Sequence, residues 1–198
     1  MPQNSVAFRR SAGVAEKYTA MAKEIKINAT GEAIKFLQTG KETNGEYVET
    51  LVRLPASGQG PRTHRHVFQT EYFEAIDGNL GLDCGDQKIV LRPGESFTVP
   101  KNTLHRCYSV DGREIEFKAI FRPALSIEYL LTEMFESSNR NQSPEPTTVD
   151  AVYIIRQTHG EYFLGDFSEA FQRNVFPLIV GVGRLLNLIK ANPNPEKG

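Results

Sequence analysis

His64 and His66 flank a single arginine, Glu71 follows five residues later, and His105 stands far downstream, beyond Gly94 and Pro100. Side chains two apart on a β-strand project to the same side, so a strand through residues 64–66 aims both imidazoles at one point. Three neutral imidazoles and a carboxylate suit a divalent transition ion, and Fe, Mn, Ni, Cu and Zn all accept such donors. The expected ligands are therefore His64, His66, Glu71 and His105, with a divalent transition metal as cofactor. Gln69 and Glu74 are polar and close by, and a one-residue slip of register exchanges the faces of a strand, so both compete with Glu71.

Strands must carry such a site, and the sequence supplies them. Between Tyr47 and Phe121 it falls into short runs rich in Val, Ile, Phe, Tyr and Leu, each closed by turn residues. YVETLVRL ends at Pro55, EYFEAI at Asp77-Gly78, NLGLDC at Gly85-Asp86, KIVL at Pro93-Gly94, SFTV at Pro100 and HRCYSV at Asp111-Gly112, before the last run EIEFKAIF. Aspartate and glycine at these breaks suit tight hairpins, because glycine takes positive φ without steric cost. Many short strands at this spacing predict an all-β core, a sandwich or closed barrel. Alternation places Glu71, Phe73 and Ala75 on one face of their strand, and His105, Cys107 and Ser109 on one face of theirs. The faces that carry the donors are thus otherwise small or apolar, a shell that limits solvent at a metal.

The spacing around these residues resembles both motifs of the cupin family. Gly58 lies six positions before His64, Gly78 seven after Glu71, and the second segment reads GESFTVPKNTLH from Gly94 through Pro100 to His105. The resemblance covers roughly the middle third of the chain and fills every ligand position. It departs from the usual pattern at Asn102, where the family commonly has Gly, and at Ser109, where it often has Asn; neither is a ligand position. The resemblance implies a double-stranded β-helix, the cupin jelly-roll barrel. It also selects Glu71 over Gln69 and Glu74, which are then expected on the rim or surface. For function it implies a metal-dependent oxidoreductase of the quercetinase-like, dioxygenase type, acting on a small oxygen-bearing organic substrate, with Glu71 as the catalytic carboxylate. Two alternatives are a non-catalytic module that anchors a small molecule through its metal, and a metal-assisted isomerase, although no further interior His or Lys is evident as a separate base.

Around this core the expected division is an N-terminal extension over 1–45, the cupin barrel over 46–124 and a C-terminal helical extension over 125–198. A short helix is expected within Ala12–Ile27 and an extra strand around Ile34–Leu37, serving either as an edge strand or as a dimer arm. Ser126 is a candidate cap for a helix whose apolar positions Ile127, Leu130, Leu131, Met134 and Phe135 form one stripe. NRNQSPEPTT reads as a polar linker. The run VFPLIVGVGRLLNLI, Val175–Ile189, predicts a helix started by the Asp166 and Glu169 spacing, with Pro177 tolerated near its first turn. It is short for a membrane span and carries Arg184, so it is expected to pack on protein, with membrane contact the less favoured outcome.

The chain of 198 residues is 39% hydrophobic and 24% charged with a net charge of -1, which argues against nucleic acid as a partner. A small molecule and a second copy, forming a homodimer, are the expected partners. Cys84 and Cys107 offer no disulfide framework, Cys107 being expected to fill core space beside His105. Residues after Arg9 and Arg10 lack an apolar signal region, so the cytoplasm is the expected location and the Asn28 and Asn141 glycosylation patterns are chance. His159 is expected to be a solvated loop residue.

Overall fold

A computed structural model describes residues 23–56 and 60–195. Gly58 and the stretch 12–22 of the expected N-terminal helix lie outside them. The described end of that stretch corrects the expectation: Glu24–Lys26 is a strand, β1, in which Ile25 is buried between two exposed neighbours. β1 pairs antiparallel with β2 (Ala33–Gln38), so β1 rather than the strand through Ile34 forms the edge.

The strands that follow are β3 (Val48–Leu54), β4 (His64–His66), β5 (Thr70–Asp77), β6 (Leu80–Cys84) and β7 (Gln87–Leu91). Then come β8 (Ser96–Val99), β9 (His105–Ser109) and β10 (Ile115–Arg122). After α1 (Ile127–Arg140) and α2 (Thr148–Gln157), β11 (Tyr162–Leu164) precedes α3 (Glu169–Leu185). The strands form two antiparallel sheets, ordered β1-β2-β3-β10-β5-β8 and β11-β4-β9-β6-β7. Together they make a jelly-roll sandwich with C-terminal helices.

Period-two burial decides which faces meet. In β3, Val48, Thr50, Val52 and Leu54 are buried; in β5, Glu71, Phe73 and Ala75; in β10, Ile115, Phe117, Ala119 and Phe121. Leu80, Leu82, Cys84 and Cys107 face them from the second sheet. Register fixes the site strand from both sides, since Phe73 lies between Ala119 and Phe97, and Glu71 between Phe121 and Val99. A one-residue slip there would turn Phe73 and Glu71 outward together.

The turn from β10 into α1 is held by Gln69, whose side-chain amide donates to the carbonyls of Pro123 and Ala124 at 2.8 Å each. Ser126 begins α1 without a capping side-chain bond; its backbone N–H donates to Glu161 instead. The helix at the C-terminal apolar run also differs from expectation. It starts at Glu169, as the Asp166 and Glu169 spacing leads one to expect, but the Ser168 hydroxyl accepts from the Phe171 N–H, so the cap is Ser168 and not Asp166. Pro177 therefore sits in the helix interior, where its ring leaves the carbonyl four residues back without a donor. The helix stops at Leu185 because Asn187 takes φ +52° and the N–H groups of Asn187 and Leu188 turn back to the carbonyls of Arg184 and Gly183. Phe176, Val180 and Gly183 face inward, and a Cβ on Gly183 would meet Val149 of α2 at 2.6 Å. Among the described residues no helix is long and apolar enough to cross a membrane.

Two predictions arise from this framework. Gln69→Ala leaves two carbonyls without their donor, so thermal unfolding should reveal a loss of about 1–3 kcal/mol with the four site residues undisturbed. Glu32, at the entry to β2, has its carboxyl raised by burial to about 7. A raised carboxyl stabilises the fold below its unfolded value, near 4.5, and that contribution disappears as pH climbs through about 7. Glu32→Gln should thus leave stability unchanged at acid pH and increase it at alkaline pH by about 1–2 kcal/mol, discounted for partial exposure. Equal effects of the substitution at both pH values would overturn this.

Candidate metal centre

β4 is only three residues long, yet it carries two of the four expected donors. Its neighbours hold it: His64 pairs with His105 of β9, while Tyr162 and Leu164 of β11 pair with His66 and His64. The second sheet therefore delivers three imidazoles, and β5 of the first sheet delivers Glu71 from the opposite side. One donor atom from each of the four lies within 4.8 Å of the others, and all four residues are buried. The structure brings the whole expected set together.

Backbone carbonyls orient two of the rings. His64 Nδ1 lies 2.8 Å from the Arg62 carbonyl and His105 Nδ1 2.9 Å from that of Thr103. When each Nδ1–H donates to its carbonyl, the Nε2 lone pairs are left to the centre of the cluster. His105 Nε2 is 2.7 Å from Glu71 Oε2. His66 Nε2 lies 3.3 Å from the same oxygen but makes no hydrogen bond, and it is an orphaned buried polar atom. Such an atom costs about 1–3 kcal/mol unless something occupies its lone pair. A divalent cation at the centre of the four donors satisfies it, so the donor set fits a metal.

Electrostatics agree with this chemistry. Burial, with His105 and His66 adding to it, lowers His64 well below the ordinary imidazole value and keeps the ring neutral. Burial opposes the charge on Glu71, but the His105 and His66 rings outweigh it and hold the carboxyl below its usual range. Burial also opposes charge on His105, and there the Glu71 carboxylate prevails and raises it.

The walls are aromatic. Tyr162 stacks on His64 with ring centroids 4.9 Å apart, Phe121 meets His66 edge-on at 5.5 Å, and Phe73 lies 6.4 Å from His105. Burial, reinforced by Glu71, raises the Tyr162 hydroxyl and keeps it a neutral phenol. Cys107 is likewise a buried, protonated thiol, raised by burial. A Cβ on Gly60, where φ is +65°, would collide with the Cys107 carbonyl, so glycine at this position lets the backbone lie against β9.

The rival residues go elsewhere. Gln69 is buried rather than on the rim, its amide engaged at the β10–α1 turn. Glu74 projects outward, accepting from the Tyr72 hydroxyl at 3.2 Å and lying 3.5 Å from Lys118. His159 is exposed. Tyr162 was not legible as a site residue; the available signal was the triplet Tyr-Phe-Leu between Gly160 and Gly165, too short to display a period.

Comparison with known proteins finds similarity over the part of the chain that carries this site. Residues 50–121 match the Cupin domain family. The quercetin 2,3-dioxygenase of Bacillus subtilis (strain 168) is 28% identical over 102 residues, 48% of this chain and 28% of that protein. Oxidoreductase OpS7 of Beauveria bassiana (strain ARSEF 2860) is 39% identical over 49 residues, 24% of this chain and 16% of that protein. The chain thus spans less than a third of either relative's length. Among solved structures, KdgF from Halomonas sp. shares 18% identity at a TM-score of 0.40, covering 47% of this chain and 81% of its own. An RmlC-like cupin from Shewanella frigidimarina NCIMB 400 shares 20% at 0.43, covering 50% and 83%. The segment that supplies His64, His66, Glu71 and His105 lies within the residues that match the Cupin domain family.

Proposed function

We propose that the chain is a metal-dependent oxidoreductase of dioxygenase type acting on a small oxygen-bearing organic molecule. The observation that carries this reading is the buried four-donor cluster with an unpartnered His66 Nε2. The partial match to a quercetin 2,3-dioxygenase supports it. His64, His66 and His105 through Nε2, and Glu71 through Oε2, would hold a divalent transition ion. Such an ion supplies a template for a substrate with two oxygens and for dioxygen, together with a sink for developing charge. Glu71, the one carboxylate among the four donors, would take the proton of a substrate hydroxyl bound beside it. Phe73, Phe121 and Tyr162 keep water away, which strengthens every polar interaction within the cluster. The free, buried Cys84 and Cys107 support a reducing, cytoplasmic setting.

Elemental analysis of purified protein, joined to oxygen uptake on a panel of diols, diketones and flavonols, tests the proposal. One divalent ion per chain and metal-dependent uptake are the expected results. His66→Ala and His105→Ala should each weaken metal binding by more than the roughly 10–100-fold that outer-shell changes cost. Unchanged metal content in both variants would sink the ligand assignment. Saturable binding of a panel member without oxygen uptake would replace the enzyme with a metal-anchored binding module.

A further inference from the structure

The outer face of α3 carries apolar side chains that nothing in the described chain covers. Phe171, Val175, Leu178, Val182 and Leu185 succeed one another at intervals of four, three, four and three, the repeat of a seam that meets a second helix. Leu178 is 67% exposed, Val182 55% and Leu185 84%, while Val175 is half-buried. Phe167 stacks on Phe171 at one end with centroids 5.2 Å apart, and exposed Leu186 and Leu188 prolong the patch at the other. The opposite face of the helix is already engaged, through Phe176, Val180 and Gly183.

Area and charge identify the occupant. The exposed portions of these side chains amount to on the order of 700 Å², above the roughly 300–600 Å² of the largest patch on a typical monomer. They approach the roughly 800 Å² that each partner contributes to a standard interface. The seam contains no charged residue, and its neighbouring cations are turned elsewhere: Arg173 pairs with Glu169 and lies over the Phe163 ring, and Arg184 lies over Tyr153. A helix that lies on lipid instead presents free Lys and Arg beside its apolar face. An uncharged seam with an evenly spaced apolar repeat is complementary to itself, which is what a two-fold interface requires.

We propose that α3 is the interface of a homodimer, packed along this seam against α3 of a second copy of the chain. A two-fold pair about the middle of the seam, parallel or antiparallel, sets Leu178 beside its own copy. Sedimentation velocity on the full-length protein at micromolar concentration should give the mass of a dimer. Leu178→Glu combined with Val182→Glu should give the monomer mass, with helical circular dichroism and metal content unchanged. Because Cys84 and Cys107 are buried, Leu178→Cys provides an independent measurement that leaves the seam apolar: mild oxidation should yield a covalent dimer on a non-reducing gel. A wild-type chain that sediments as a monomer overturns the proposal, whether or not it pellets with phosphatidylserine vesicles, as does a Leu178→Cys protein that fails to cross-link.

Discussion

A buried carboxylate, Glu71, is the charge around which the two sheets have to close. Removing an ion from water costs several kcal/mol even after relaxation, and only close polar partners offset that. On its own sheet Glu71 is paired in register with Phe121 and Val99, which offer no charge. Its partners, His105 and His66, come from the other sheet. The sandwich must therefore assemble with both inner faces in correct register, or leave an uncompensated ion in the core. The same constraint that makes the site costly makes the packing of β5 against β9 and β4 specific.

The parts of this arrangement legible in the sequence are those governed by period-two alternation. Glu71, Phe73 and Ala75 turn inward together, as do His105 and Cys107, because each lies on a strand long enough to display the period. Gln69 shows where parity stops informing. It is two residues from Glu71 and also buried, but it precedes the strand, and its amide is consumed by two carbonyls at the next turn. β1 and β11 are three-residue strands, so they leave no repeat to detect and declare themselves only through pairing. In α3 the almost continuous apolar run concealed which face was inward, while the start was legible to within two residues, the cap being Ser168 rather than Asp166.

The C-terminal extension is tied to the sandwich and to itself at several points. β11 adds to β4, and Arg65 of β4 is ion-paired with Glu169 at the start of α3. Beyond α3 the chain folds back onto two buried carboxylates. Asp150 accepts from the N–H groups of Lys190 and Ala191 and from the Ser137 hydroxyl, while Glu133 accepts from the backbone and side chain of Asn192. Hydrogen bonds to a charged acceptor are worth about 1.5–3 kcal/mol each, so this return segment is an integral part of the helical layer.

The pairing of β4 with β11 also sets a timetable for biosynthesis. β4 meets β9 at a single residue pair but β11 along its full length. Leu164 leaves the ribosome about a hundred residues after His64, a delay on the order of 5–20 s at typical elongation rates. Before then β5, β8 and β10 have all been made and can fix Glu71, whereas the strand bearing His64 and His66 still lacks its principal neighbour. The four donors can therefore reach the geometry seen here only once the chain has been made as far as β11.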